Sequence, residues 1–190
     1  MASAAGTTDP RAVGKTLLTL CALAATALVV AVPVGGASPA GEPFRAKTTA
    51  LETQVLSGLN ALRAGRGLKP LRFSTQLAAA AEAHSRDMVK RGYFDHTSRD
   101  GTPFSKRVAR FYRPGSSNYW SAGENLLWFS PDVGASTAIS MWMKSPAHRA
   151  ILLSPEWREV GLSAVHVRSA PGVFEGLEVT VVTADFGVRR

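Results

Sequence analysis

The apolar pattern of this 190-residue chain changes period once, and that change restricts its fold more than any other feature. In the first two-thirds, apolar residues recur at helical spacing. Leu51, Val55, Leu59 and Leu62 fall on one helical face, and Gly65 and Gly67 stop the run. Pro70 to Phe73 reads as a short extended connector. Leu77, Ala81, His84 and Met88 share a second helical face, with Ser74 placed to cap its start and Gly92 its end. Phe104, Val108 and Phe111 mark a short third helix. Asp132 is placed to cap a fourth, running to about Met143 with Ile139 and Trp142 inward, and Ser145-Pro146 opens a further turn. Then the period drops to two. Val160, Leu162 and Ala164 alternate with Gly161, Ser163 and Val165, and Leu177, Val179 and Val181 alternate with Glu178 and Thr180. Ala170-Pro171-Gly172 between them reads as an exposed hairpin loop. Helices first and two long antiparallel strands last predict an α+β domain.

Residues 1–40 are set aside from that domain. Arg11 and Lys15 precede an uncharged run from Thr16 to Val34, and only small residues follow it to Ala40. A basic start, an apolar run and a small-residue exit make a secretory signal peptide, with cleavage after Ala37 or Ala40. Residues 16–34 are also long enough to stay uncleaved as an N-terminal membrane anchor. The single cysteine, Cys21, lies inside the run, so the rest of the chain has neither a disulfide nor a thiol nucleophile. Residues 41–50 read as a polar linker, and 51–190 as one domain, long enough to bury about 68–70% of its unfolded surface.

The charge is strongly positive, with 22 Lys+Arg against 14 Asp+Glu and a formal net charge of +8. Outside a cell such an excess draws a protein to an anionic membrane surface or to wall polymers, or simply keeps it soluble. No helix-turn-helix, zinc-finger or aromatic-basic strand pattern points to nucleic acid. Lys106, Arg107, Arg110 and Arg113 concentrate charge on or just after the third helix, as a solvated face or as a docking patch for an anionic surface.

Of the four histidines, His84 sits on a buried stripe and reads as a satisfied core residue, while His166 reads as a surface residue of a strand. His96 and His148 lie in turn-rich segments, where functional residues concentrate. His96 ends Phe94-Asp95-His96, which is followed in order by Asp100-Gly101-Thr102-Pro103-Phe104, Ser121-Ala122-Gly123-Glu124-Asn125-Leu126, Trp142 to Arg149, and Trp157-Arg158-Glu159-Val160-Gly161-Leu162. This ordered set resembles the CAP superfamily, the cysteine-rich secretory, antigen-five and pathogenesis-related-one proteins, in its short bacterial form and over about residues 51–187. The resemblance implies a three-layer α-β-α sandwich with an antiparallel central sheet. It also implies a solvent-open cleft built round two histidines and two acidic residues. By motif, His96 and His148 match the histidines and Glu124 the acid of the Gly-Glu-Asn segment. The fourth position departs from the pattern. The span from Trp142 to His148 holds no acid, and Glu159, the nearest carboxylate downstream, is taken as the fourth cleft residue. The disulfides of the eukaryotic members are missing too.

The residues themselves leave the chemistry open. Two neutral imidazoles with a carboxylate nearby suit Zn²⁺ or another divalent cation, with His96 and His148 as its ligands. Their separation matches no helical ligand spacing and the H-E-x-x-H signature is absent, so a metal depends on the fold bringing them together. Without metal, Glu124 beside an imidazole orients it as a general base. A third reading is a polar network that fastens loop to sheet without turnover. Serine nucleophiles lack a G-x-S-x-G elbow, and Ser145 reads as a helix cap. Tyr119-Trp120 reads as core, or as a rim that stacks on a sugar or an acyl chain. The expected function is that of an exported protein whose cleft binds a cell-envelope or extracellular ligand, a lipid, sterol or glycan, with or without a metal. The alternatives are a hydrolase of peptide or cell-wall polymer acting through His96, Glu124, His148 and Glu159, and a non-catalytic interaction module.

Overall fold

A capping box at Thr49 starts the first helix, α1 (Ala50–Ala64). The Thr49 hydroxyl accepts from the Glu52 N–H at 3.2 Å, and the Glu52 carboxylate accepts from the Thr49 N–H at 2.7 Å. The computed structural model describes residues 49–190, so the signal-or-anchor run 16–34 and nearly all of the 41–50 linker lie outside the described residues. A two-residue strand, β1 (Arg72–Phe73), occupies the expected connector. It leads into α2 (Thr75–Arg91), where Ser74 accepts from the Leu77 N–H and Gly92 closes the helix at φ 68° in the left-handed region. Then follow α3 (Phe104–Phe111), β2 (Trp120–Phe129), α4 (Ala135–Lys144), α5 (Pro146–Leu152), β3 (Glu159–Val167) and β4 (Val179–Arg189).

The four strands form one sheet in the order β1-β3-β4-β2. β4 pairs antiparallel with β3 and with β2, while β1 pairs parallel with β3. The central sheet is therefore mixed and not purely antiparallel. The chain returns from β1 to β3 through a long crossover that contains helices, which is what a parallel pair requires.

The pleat of β4 divides the core. Val182, Ala184, Phe186 and Val188 pack with Val55, Leu59, Trp142 and Leu152, so α1, α4 and α5 cover one face. Val179 and Val181 pack with Met88 and Val89, and Leu77 packs with Val108 and Tyr112, so α2 and α3 cover the other. This is the α-β-α sandwich. On the second face α2 lies directly against β3, because a Cβ on Gly161 would stand 2.0 Å from the Ala78 nitrogen.

Two local expectations change. Gly134, not Asp132, is the N-cap residue of α4. Asp132 instead accepts from the Thr180 hydroxyl at 3.1 Å and pairs with His166. Phe111 points outward and Tyr112 takes the buried position. The 170–174 segment does join β3 to β4 as a hairpin loop with Pro171 and Gly172 exposed, but it is anchored at both ends: Ala170 and Phe174 are buried, and the Val173 N–H donates to the Gly92 carbonyl at 3.1 Å. No helix among the described residues is long and apolar enough to cross a membrane.

Candidate functional site

Glu124 is set on β2, between its register partner Asp185 on β4 and the α2–α3 layer. Its segment carries no apolar alternation because the buried centre of β2, Gly123 to Leu127, begins with a glycine, an acid and an amide, so the strand is invisible in the sequence. Successive residues of β2 point to opposite faces, and this matters for the site. Glu124 reaches into the α2–α3 side. Asn125 reaches the other way and donates to the backbone carbonyl of His148 on α5 at 3.1 Å. One dipeptide on an edge strand thus holds both histidine-bearing segments, which come round the outer edge of β2 from opposite layers.

The Glu124 side chain is buried, and both of its oxygens are engaged. Oε1 accepts from Nδ1 of His96 at 2.9 Å, and Oε2 accepts from Nη2 of Arg107. Arg107 also donates through Nη1 to the His96 carbonyl at 2.9 Å. Arg107 is only 5% exposed, so it belongs neither to a solvated face nor to a docking patch. Lys106, Arg110 and Arg113 remain exposed. Burial alone raises the proton affinity of Glu124, but the His96 hydrogen bond and the Arg107 guanidinium outweigh it and bring the carboxyl below its ordinary range. A carboxylate at Oε1 can only accept, so His96 donates from Nδ1 and its Nε2 edge takes no part in that bond. The His96 side chain is 42% exposed, so that ring is open to solvent while its partner is sealed.

His148 is half-buried on α5 and lies close enough to His96 for their charges to oppose each other. Burial first, and then His96, lower its proton affinity, which favours the neutral ring. Its imidazole makes no hydrogen bond among the described residues. His84 is a core residue that also backs the site. Its Nε2 donates to the Asp95 carbonyl at 2.8 Å, directly before His96, and burial lowers its proton affinity.

Glu159 stands apart. It lies on the same face of the sheet but opposite Gly187, one pleat beyond the Gly161–Asp185 pair. Its carboxylate accepts from the Tyr112 hydroxyl and pairs with Arg189 at 3.5 Å and Arg72 at 3.6 Å. The structure thus joins His96 to Glu124 and brings His148 near them, while Glu159 has its own network. Asn125 and Asp185 have no assigned role in the sequence reading, and Arg107 figures there only in a basic surface cluster. Only the Gly-Glu-Asn motif hinted at Asn125.

Among the described residues no group of three or more His, Cys, Asp and Glu side chains is arranged to hold a metal ion. Each of the two imidazoles nevertheless keeps a ring nitrogen clear of protein hydrogen bonds among the described residues. His96 has its carboxylate-oriented Nε2 free, and His148 favours its neutral, ligating form. Any further ligands would come from water or from the bound molecule. Tyr119 is partly exposed, with its hydroxyl donating to Glu156 at 3.1 Å, whereas Trp120 donates its indole N–H to the Tyr112 carbonyl at 3.0 Å.

The profile of the cysteine-rich secretory protein family, CAP, matches residues 56–186. YkwD of Bacillus subtilis (strain 168), an uncharacterised protein, is 33% identical over 118 residues, covering 62% of this chain and 43% of YkwD. The uncharacterised membrane protein YlbC of the same organism is 30% identical over 121 residues, covering 64% of this chain and 33% of YlbC. The chain thus spans less than half the length of these curated relatives. Among solved structures, an extracellular protein containing a SCP domain from Bacillus anthracis str. Ames superposes with a TM-score of 0.55 at 25% identity, over 73% of this chain and 40% of that one. An outer surface protein from Borrelia burgdorferi shares the fold with a TM-score of 0.57 at 20% identity, over 73% of this chain and 92% of that one.

Proposed function

Because this chain belongs to the cysteine-rich secretory protein (CAP) family, we propose that it acts outside the cell, binding a cell-envelope lipid, sterol or glycan between His96 and His148. One observation carries this reading: a half-exposed imidazole, His96, is oriented through Nδ1 by a sealed carboxylate at 2.9 Å, which leaves its Nε2 edge outside that bond. A sealed orienting group behind an open donor-acceptor is the arrangement of a binding site whose geometry is set before the ligand arrives. The extracellular relative from Bacillus anthracis and the basic-then-apolar stretch through residues 16–34 both support a location outside the cell. The exposed Lys106, Arg110 and Arg113, with a net charge of +8, suit the approach to an anionic membrane or wall. A divalent cation, zinc first, would be held by His96 and His148 and would supply a Lewis-acid contact for a ligand oxygen.

Hydrolysis of peptide or wall polymer is the second reading, since an imidazole backed by a carboxylate is also how a general base is built. In this geometry His96 is the base and Glu124 only orients it, because both Glu124 oxygens are occupied.

Zinc titration by calorimetry on the full chain, beside His96→Ala/His148→Ala, tests the site. Saturable binding lost in the double variant is the expected result. Mass spectrometry of whatever copurifies then identifies the ligand class. Turnover of peptidoglycan fragments that the double variant lacks would select the hydrolase. No zinc binding and no copurifying lipid or glycan would overturn the binding reading.

A further inference from the structure

Asp185 is fully buried in the centre of the sheet, and neither of its oxygens has a hydrogen-bond donor. We infer that Asp185 is a positioning residue: a neutral carboxyl that donates its own proton to Glu124 and so holds Glu124 as the fixed acceptor of His96. The inference rests on the reading of His96 as the working group of the cleft.

The surroundings of Asp185 carry the argument. From β2 it faces Glu124, its register partner. From β3 it faces Gly161, which has no side chain and lets α2 seal the site. From α2 the titratable neighbour of this network is His84, whose proton is held by the Asp95 carbonyl. Ser85, also on α2, is bonded to the Thr183 hydroxyl at 2.8 Å. From α3 comes a cation, Arg107, and its Nη groups are spent on Glu124, the His96 carbonyl and Ser98. Two ionised carboxylates against one guanidinium would leave an uncompensated negative charge at full burial, which is far more costly than binding one proton. The proton belongs on Asp185, because Glu124 already has two charge-stabilising donors. A carboxyl O–H pointed at a carboxylate makes a strong charge-assisted hydrogen bond. It satisfies Asp185, gives Glu124 a third donor, and leaves the buried group electrically neutral. Burial, and then the Glu124 charge, push the Asp185 carboxyl well above its ordinary range, against the pull of Arg107.

The consequence reaches the cleft. An ionised Asp185 would add a second negative charge that competes with Glu124 for Arg107. The neutral carboxyl leaves Glu124 as the single buried charge that orients the His96 ring.

Carbon-detected NMR of the full chain tests this directly. The Asp185 Cγ is expected to stay at its carboxylic-acid position from about pH 5 to about pH 8, far above the ordinary aspartate midpoint near 3.9. An inflection near that ordinary value would overturn the inference without any variant having been made. Asp185→Asn, whose amide still donates, is expected to keep the His96 proton on Nδ1, read from its imidazole nitrogen shifts. Asp185→Leu, which donates nothing, is expected to lose that pattern. A folded Leu variant with the wild-type His96 pattern would also overturn it. Neither readout involves zinc or ligand, so failure of the binding reading and failure of this inference are separable.

Discussion

Nδ1 of His96 lies 2.9 Å from Oε1 of Glu124, joining a loop to a strand 28 residues further along. Behind that contact stands Arg107, which grips the Glu124 carboxylate and the His96 carbonyl together. The loop is therefore held by a buried ion pair and not by packing alone, and the pair can be broken from either side.

Glu124→Gln is expected to lower stability by about 3–5 kcal/mol, because it strands a buried guanidinium. Glu124→Gln combined with Arg107→Met should regain a large part of that loss, since no unpaired charge remains. Urea denaturation of the two single variants and the double decides. A double variant no better than the sum of the singles would show that the pair is not coupled.

His148→Ala should leave stability within about 1 kcal/mol of wild type, because the ring is half-buried and makes no hydrogen bond among the described residues. Zinc binding is expected to disappear in the same variant. A large fall in melting temperature would instead mark His148 as a structural fastener.

Acidification should weaken the fold through His84. Burial holds its folded proton affinity below the ordinary value of 6.5, so the unfolded chain takes up the proton first. Its contribution is present above that ordinary value and is lost as pH falls through the folded one. His148 shifts the same way, while Asp185, with a raised value, contributes below the ordinary aspartate range and loses that contribution as pH rises. The comparison of wild type with His84→Gln isolates the histidine. The decline in melting temperature from about pH 7 to about pH 5 is expected to be shallower in the variant.

Gly161→Ala should cost about 3 kcal/mol or more, because its Cβ would stand 2.0 Å from backbone nitrogen of α2. Gly134→Ala provides the contrast. It lies at φ −83° with nothing within 4 Å, and should cost less than about 1 kcal/mol. Chemical denaturation of both variants would reveal whether close helix-to-sheet packing sets the first cost.

Much of the architecture is legible in local signals. Thr49, Ser74, Gly65 and Gly92 bracket α1 and α2 with short-range hydrogen bonds, and the alternation around Val160 survives because α2 packs too close to β3 for more than a glycine at Gly161. β2 is hidden because its buried centre carries a glycine, an acid and an amide, Gly123 to Asn125, where an apolar alternation would reveal it. Arg107 is hidden for a different reason. A cation on a short helix is ordinarily solvated, and its burial depends on a carboxylate 17 residues away in that unseen strand. Glu159 looks suitable in sequence, beside Val160-Gly161, but strand register sets it opposite Gly187, where Tyr112 and Arg189 claim it. Asp185 interrupts an apolar strand as its one acid, a signal that has meaning only once Glu124 is known to lie beside it.

β4 lies between β3 and β2, yet it is the last of these elements in chain order. The sheet therefore has no centre until the final strand has been made, and β2 waits for a partner throughout the synthesis of α4, α5 and β3. Pairing of this kind is long-range and slow to form. The strand that closes the sheet is thus the last to be made, and Glu124 meets its register partner Asp185 only when the chain is nearly complete.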